Sequence, residues 1–350
     1  MKYRLLGNSG LSVSTLTLGT MGFGTETPEK EAFAILDAFC DAGGNIIDTA
    51  DVYGGGASEA VIGRWRSSRS ASVTDRVIVA TKARFGTGPD MNDAGLSRRH
   101  LTHSLNASLK TLGVDAIDLY QLHGWDPLTP PEQTLMFLAD AVRAGKIHHI
   151  GLSNFTGWQL QLMLSTARML GTSLPVTLQQ QYSLACRESE YEIIPASLHN
   201  QISLLPWSPL AHGFFSGKYT RGTRPGAETR LGSDNAMFRH IGNDIFSAER
   251  NWSTLKVVQR IADDTGFTPS QVALSWVTNR PSVASSIIGV RTLDQFSENI
   301  KAADLILEEA LTQELDTVSA PVPDDYPYGR FGTLQRERYI DSSDQVLREL

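Results

Sequence analysis

Four side chains that can carry acid–base chemistry stand at or just beyond the ends of apolar stretches: Asp48, Tyr53, Lys82 and His123. A buried ammonium is costly without a carboxylate nearby, so Asp48 is the natural partner of Lys82. A cation beside Tyr53 is expected to lower the pKa of the phenol and to make it a usable general acid at neutral pH. These four residues are therefore the candidate catalytic group.

Each of these residues also fits an ordinary structural role. An aspartate after a strand is often a helix N-cap, and Tyr53, which precedes three glycines, fits packing in a loop. Taken alone, His123 is better explained as a hydrogen-bonded structural histidine. The catalytic interpretation depends on the four residues taken together rather than on any one of them.

The elements that must position them are short apolar runs that alternate with amphipathic helical patterns. This alternation is typical of βα repeats and a parallel sheet. The helical patterns include residues 28–42, which start at a proline and stop at two glycines, and residues 97–112, which stop at Gly113. Spacing alone leaves a closed barrel and a doubly wound open sheet both open. Eight runs are predicted as strands: 16–19, 45–48, 76–82, 117–123, 149–153, 176–180, 202–207 and 285–289.

Isolated polar residues recur at the carboxyl ends of these predicted strands. Besides Asp48, Lys82 and His123, they include Ser153 and Gln179. In a barrel the carboxyl ends of parallel strands converge on one face, where (β/α)8 enzymes build their active sites. The sequence therefore predicts that these residues share one pocket.

Three segments fall outside the repeat. Residues 1–13 read as an N-terminal β-hairpin that could plug the bottom of a barrel. Residues 217–245, after the seventh strand, are too long for an ordinary connection and are predicted to be a functional or mobile loop. We expect a single domain over residues 1–350, with a core over about 14–318 and a C-terminal tail, 319–350, on the surface.

Composition excludes several classes of protein. The 350 residues are 41% hydrophobic and 20% charged, as in ordinary globular proteins. The net charge is -7 with scattered Lys and Arg, so no nucleic-acid partner is expected. Neither a membrane span nor a signal peptide is evident, which predicts a cytoplasmic protein. Cys40 and Cys186 are expected to be reduced, buried thiols. The adjacent His148 and His149 would point to opposite faces of a strand, so no metal site is expected.

Six motifs together resemble the aldo-keto reductase family, over about residues 3–319. In family order they are NIIDTADVYGGGASEAVIG, VIVATKA, IDLYQLHGWDP, GKIHHIGLSNF, LQQQYSL and LPWSPL. The branch they resemble includes potassium-channel β-subunit-like proteins and bacterial reductases. The resemblance implies a (β/α)8 TIM barrel that reduces aldehyde or ketone carbonyls by hydride transfer from a nicotinamide. Tyr53 would be the general acid, and His123 would orient the carbonyl oxygen.

The resemblance also implies a binding site for NADPH or NADP+. Arg291 could clamp a 2′-phosphate in bidentate fashion, which favours NADPH over NADH. No GxGxxG motif follows a strand into a helix, which argues against a Rossmann domain. The implied contacts are Gly19, Thr20, Met21, Asp48, Ser153, Asn154, Gln179 and Trp207 at the nicotinamide end, Ser208, Pro209, Leu210, Gly213, Ser216 and Lys218 along the pyrophosphate, and Gly289, Arg291, Gln295, Glu298 and Asn299 at the adenosine end.

The substrate is expected to be a small-molecule carbonyl compound whose identity and pocket are less defined. Phe23, Tyr53 and Trp125 are the candidate pocket residues, with further contributions from residues 237–238 and from Tyr326. One alternative function is an NADP(H)-binding sensor with little turnover. Another is a barrel hydrolase or lyase that uses Asp48 and Lys82, but it would leave the cofactor motifs unexplained. The sequence does not predict an oligomeric state.

Overall fold

The computed structural model describes residues 1–223 and 225–336. All eight predicted strands are present, with ends within two residues of the predicted ones, and two further short strands form the N-terminal hairpin. The ten strands are β1 Tyr3–Leu5, β2 Ser12–Ser14, β3 Leu16–Gly19, β4 Ile46–Asp48, β5 Ile78–Ala83, β6 Ile117–Leu122, β7 Ile147–Ser153, β8 Thr177–Gln181, β9 Ser203–Trp207 and β10 Ser286–Gly289.

Strands β3 to β10 form one parallel sheet that curls into a barrel. Its order is β10-β3-β4-β5-β6-β7-β8-β9, so each strand lies beside the next along the chain and β10 returns to β3. Between β9 and the start of β10, the Leu204 amide donates to the Ser282 carbonyl at 2.8 Å and the Ala284 amide donates to the Leu204 carbonyl at 3.1 Å. These bonds close the ring, so the (β/α)8 barrel is confirmed and the open sheet is excluded.

The hairpin of β1 and β2 covers the amino-terminal end of the barrel. The strands pair antiparallel, and Leu6 and Val13 are fully buried against apolar residues of the barrel strands, among them Ile46 and Ile287. The Arg4 guanidinium donates to the carbonyls of Thr278 and Val283. The hairpin is therefore the plug that the sequence predicted, and the opposite end of the barrel is left for a site.

Helices surround the barrel, and their ends follow the predicted capping signals. The Ser97 side chain accepts from the His100 amide and begins the fourth helix, while Gly113, at φ 66°, ends it. The α-helices of the described residues are α1 Glu29–Asp41, α2 Ala57–Ser67, α3 Ala71–Thr74, α4 Arg98–Leu112, α5 Pro131–Arg143, α6 Gly157–Leu170, α7 Ile193–His199, α8 Ala236–Ser247, α9 Glu249–Thr265, α10 Pro269–Thr278, α11 Leu293–Asn299, α12 Glu309–Val318 and α13 Arg330–Leu334. Short 3-10 helices cover Tyr53–Gly56, Glu188–Glu190, Phe214–Ser216 and Ile300–Asp304.

The segment predicted as a long loop over residues 217–245 is partly helical. Helix α8 occupies its second half and begins at Asn235, whose side chain accepts from the Met237 and Phe238 amides. An N-cap of this kind makes a helix start favourable, and the sequence interpretation overlooked it. The segment therefore contains a helix rather than loop alone.

The C-terminal tail also contains a helix that the sequence did not predict, α13, while residues 337–350 lie outside the described part of the chain. Cys40 and Cys186 are free, as expected, but they are half-buried rather than fully buried. In residues 1–223 and 225–336 no helix is long and apolar enough to cross a membrane. A cytoplasmic location stays a prediction.

Candidate active site

The four candidate catalytic residues meet at the carboxyl end of the barrel. Asp48 is the last residue of β4, Tyr53 starts the 3-10 helix that follows it, Lys82 lies near the end of β5, and His123 comes directly after β6. Lys82 Nζ donates to Asp48 Oδ2 at 2.6 Å, to the Thr49 carbonyl at 2.7 Å and to the Tyr53 hydroxyl at 3.1 Å. The ammonium thus joins the carboxylate to the phenol.

The predicted lowering of the Tyr53 pKa is wrong. Burial of the phenol is the largest effect and raises its pKa above the ordinary value, while the charge of Lys82 only partly offsets it. Burial by itself lowers the pKa of Lys82, but Asp48 and Tyr53 together outweigh burial and raise it. At neutral pH the pair is therefore an ammonium and a protonated phenol, which is the form of Tyr53 that can donate a proton.

His123 is a neutral imidazole in this setting. Burial, reinforced by the positive charges of Lys82 and Arg84, lowers its pKa to about 2. Its ring meets the Tyr53 ring edge-on at 5.7 Å and the Phe85 ring at 4.7 Å. Its Nδ1 is buried without a hydrogen-bond partner in the described part of the chain. A neutral histidine beside the phenol can share a hydrogen bond with a ligand oxygen without bringing a second positive charge.

Asp48 is held from its other side by two amides inside the barrel. Oδ1 accepts from Gln179 Nε2 at 2.8 Å and from Gln121 Nε2 at 3.0 Å. With the bond from Lys82, the carboxylate has three donors, so its burial is compensated. Gln121 was not among the predicted site residues, although it lies within the IDLYQLHGWDP motif two residues before His123.

A cleft of about 650 Å³ opens above this group, and each predicted cofactor-contact residue lines it. Further lining residues that the sequence interpretation missed include Val52, Phe85, His212 and Arg230, while Met237 and Phe238 of α8 were only suggested. A single cleft thus collects residues from β3 through β10, as convergence at the carboxyl end of a barrel requires.

Asn154 and Trp207 fix each other at the edge of this cleft. Trp207 Nε1 donates to Asn154 Oδ1 at 3.0 Å, and Asn154 Nδ2 donates to the His123 carbonyl at 3.1 Å. Asn154 has a left-handed backbone, with φ 57°. Asparagine adopts this conformation more readily than most non-glycine residues. Asn154 therefore ties the aromatic wall to the backbone of His123.

The turn after β9 is also left-handed. Ser208, Ala211 and His212 have φ values of 52°, 48° and 56°, and Gly213 follows at 88°. His212 Nδ1 lies 3.4 Å from Ser208 Oγ, and its buried Nε2 has no hydrogen-bond partner among the described residues. Burial and the charge of Arg230 lower the pKa of His212 to about 4, so this ring is neutral as well.

Three cations lie along the same cleft. Burial and the neighbouring charges of Arg291 and Arg230 lower the pKa of Lys218, which shows that the three groups sense one another. Arg230 lies 3.4 Å from Glu26, whereas in residues 1–223 and 225–336 neither Lys218 nor Arg291 is within salt-bridge distance of a carboxylate. Clustered positive charges of this kind favour a ligand with several negative charges.

Two residues predicted for the substrate pocket lie elsewhere. Phe23 is fully buried in the core between barrel and helices, and Trp125 packs edge-on against Phe155 and Trp158. Neither is among the described residues that line the cleft, and neither is Tyr326, which is exposed. A position after a strand end places a residue at the correct face of the barrel, but the loop decides which way its side chain turns.

Comparison with known proteins agrees with this geometry. Residues 15–320 match the profile of the Aldo/keto reductase family. The chain is 35% identical to an uncharacterized oxidoreductase, YrpG, of Bacillus subtilis, over 91% of this chain and 96% of that protein. It is 35% identical to a probable voltage-gated potassium channel subunit beta of Arabidopsis thaliana (87% and 92%) and 31% identical to the versiconal hemiacetal acetate reductase of Aspergillus parasiticus (92% and 98%).

The family profile covers most of the chain, and the relatives match it along nearly their whole length. Both findings agree with the closed barrel and with the cleft at its carboxyl end. The chain belongs to the aldo/keto reductase family of oxidoreductases.

Proposed function

We propose that the protein reduces aldehyde or ketone carbonyls to alcohols with NADPH, and that Tyr53 is the proton donor. The observation that carries the proposal is the contact of Lys82 Nζ with both Asp48 and the Tyr53 hydroxyl at the floor of the cleft. Carbonyl reduction needs a proton donor and hydrogen bonds to the developing oxyanion. A protonated phenol beside an ammonium meets the first need, and neutral His123 supplies a further polar group at the same oxygen.

The cleft suits a dinucleotide with a 2′-phosphate. Members of the family generally use nicotinamide cofactors. Lys218 and Arg291 are the cations for the phosphate groups, and Gly289 leaves open space, since a Cβ there would meet no atom within 4 Å. Ser153, Gln179 and Trp207 would hold the nicotinamide end. When bound, the reduced nicotinamide supplies the hydride for the carbonyl carbon.

The chain's own residues then handle the proton and the substrate. Tyr53 gives its proton to the carbonyl oxygen, and the positive charge of Lys82 stabilises the phenolate that remains. Asp48 keeps the ammonium in place through its 2.6 Å contact. Phe85, Val52 and Phe238 form apolar walls that exclude water and favour an apolar carbonyl compound.

The proposal is tested by NADPH oxidation with aromatic aldehydes, ketones and quinones. Tyr53→Phe keeps the ring but removes the proton donor, so kcat/KM should fall about 100-fold or more while NADPH binding is retained. Tyr120→Phe is the matched control, because Tyr120 is buried on the outer side of the barrel wall, and it should keep wild-type turnover. Equal turnover by wild type and Tyr53→Phe would reject Tyr53 as the acid.

The alternative function is an NADP(H)-binding sensor, and one relative is named as a probable channel subunit. This alternative predicts tight NADPH binding with no turnover of any carbonyl in the panel. If the purified protein does not bind NADPH at all, both functions are wrong.

A further inference from the structure

Gln121 is a buried amide in the barrel interior that the reaction described above does not use. It lies on β6 with its side chain fully buried. Its Nε2 donates to Asp48 Oδ1 at 3.0 Å, and its Oε1 accepts from Gln179 Nε2 at 3.2 Å. One side chain thus contacts both the catalytic carboxylate and the amide that lines the nicotinamide end of the cleft.

The neighbouring strand, β7, leaves room for the Gln121 side chain to reach Gln179. Gln121 pairs with Gly151 of β7, and Gly151 pairs in turn with Thr177 of β8. A Cβ on Gly151 would lie 2.7 Å from Gln121 Cγ and 2.5 Å from Thr177 Oγ1. Both distances are too short for a real contact, so only glycine leaves room for Gln121 to cross β7 toward Gln179.

Hydrogen-bond chemistry fixes how these amides are oriented. The Asp48 carboxylate, paired with the Lys82 ammonium, accepts hydrogen bonds and has none to donate. Both glutamines must therefore turn their NH2 groups toward it. The second N–H of Gln179 goes to Gln121 Oε1. Both N–H groups of Gln179 are then used, and its side chain has only the carbonyl oxygen left to offer a ligand.

We propose that Gln121 is a positioning residue that locks the plane of the Gln179 amide, so that the cleft recognises the carboxamide NH2 of a nicotinamide through a fixed acceptor. One hydrogen bond, from Gln179 to Asp48, leaves the amide free to pivot, whereas a second bond at 3.2 Å fixes its plane. The inference rests on the proposed function, because it takes the ligand of the cleft to be a nicotinamide dinucleotide.

The test compares equilibrium binding of NADP+ with that of its 3-acetylpyridine analogue, in which a methyl group replaces the carboxamide NH2. Wild type should bind NADP+ more tightly, by a ratio on the order of fivefold, the usual size of one hydrogen bond. Gln121→Leu removes the Oε1 atom that accepts the hydrogen bond from Gln179, so the Gln179 amide is no longer fixed. The ratio of the two affinities should then fall close to one. The same change should also raise KM for NADPH severalfold, by a larger factor than it lowers kcat.

A second variant and a control separate positioning from general damage. Gln121→Asn keeps an amide, but the shorter side chain cannot reach both Asp48 and Gln179. This variant should therefore lose the same discrimination between the two dinucleotides. It tests the inference even if Gln121→Leu does not fold. Gln180→Leu is the matched control. Gln180 is a buried glutamine on β8, next to Gln179, and its side chain donates to the Phe155 carbonyl at 3.0 Å instead of to Asp48. It should keep the wild-type ratio.

Each result supports or overturns the inference. Discrimination that persists in a folded Gln121 variant overturns it, and so does a wild type that binds both dinucleotides equally. Loss of discrimination in Gln180→Leu as well would reduce Gln121 to a general structural role. If wild type binds neither dinucleotide, the proposed function itself fails, and the inference fails with it.

Discussion

Two buried acidic clusters lie on opposite sides of the same barrel wall, and they are built differently. The inner cluster is Asp48 with Lys82, Gln121 and Gln179. The outer cluster is Asp51, Glu59 and Tyr120. Side chains alternate along a strand, so neighbouring residues such as Tyr120 and Gln121 face opposite sides.

The two clusters differ in how completely their polar groups are satisfied. Asp48 accepts three hydrogen bonds, one of them from an ammonium. In the outer cluster Glu59 accepts from the Thr81 hydroxyl at 2.6 Å. Both carboxylate oxygens of Asp51 and the Tyr120 hydroxyl are buried without a partner among the described residues. Within residues 1–223 and 225–336, Asp48 of the inner cluster forms an ion pair, whereas Asp51 and Glu59 of the outer cluster form none.

The two clusters therefore differ in charge compensation more than in burial. Burial, with the nearby charge of Glu59, raises the pKa of Asp51 to about 7. The inner cluster holds an ion pair beside Tyr53, whereas in the outer cluster burial raises the pKa values of both Asp51 and Glu59.

The largest effect is expected from Lys82→Met in the inner cluster. The change leaves the Asp48 carboxylate buried with two amide donors and no cation, which should cost about 3–5 kcal/mol of unfolding free energy and abolish turnover. Urea unfolding followed by far-UV circular dichroism measures the cost. Adding Asp48→Asn removes the uncompensated charge, so the double variant should be more stable than the sum of the single changes. If the changes in unfolding free energy of the two single variants add up to that of the double variant, Lys82 and Asp48 do not stabilise each other.

A smaller, pH-dependent effect of opposite sign is expected from Asp51→Asn. With a folded-state pKa raised to about 7, Asp51 keeps a proton that the unfolded chain has already released, so wild-type stability falls as pH rises from about 4 to 7. Asp51→Asn removes this penalty. Its stability relative to wild type should increase by about 2–3 kcal/mol between pH 5 and pH 8.

Unfolding at the two pH values checks the Asp51 prediction. A difference between variant and wild type that is the same at pH 5 and pH 8 would show that Asp51 is ionised throughout and that the outer cluster is compensated after all. Turnover should stay near the wild-type level, since Asp51 contacts neither the Tyr53 hydroxyl nor Lys82 Nζ through a hydrogen bond.

The contrast also explains what the sequence could and could not predict. Asp48, Lys82 and His123 were predictable because each stands at the end of an apolar strand, where convergence follows from the barrel. Barrel closure itself depends on the pairing of Leu204 with residues just before β10, which no local pattern reveals. The role of Gln121 depends on strand register and on space above Gly151, which appear only in three dimensions.

The predictions that failed share a cause. The pKa of Tyr53 depends mainly on how deeply the phenol is buried. The sequence predicted the cation next to Tyr53 but not this burial, so the predicted direction of the pKa shift was wrong. Phe23 and Trp125 follow strand ends, but one side chain turns into the core and the other packs on Phe155. Sequence placed residues at the correct end of the barrel, while burial and side-chain direction were set by the packing of loops.

The smallest effect is expected from Tyr120→Phe in the outer cluster. Removing a buried hydroxyl that has no partner should leave the free energy of unfolding within about 0.5 kcal/mol of wild type or raise it slightly. Tyr182→Phe is the matched control, because its hydroxyl donates to Glu190 Oε1 at 2.6 Å, and its loss should cost about 1.5–3 kcal/mol. If Tyr120→Phe costs as much, the Tyr120 hydroxyl must form a hydrogen bond with Asp51 or Glu59, either directly or through a water molecule. The outer cluster would then be satisfied like the inner one, and the cation of Lys82 would be the one difference left between them.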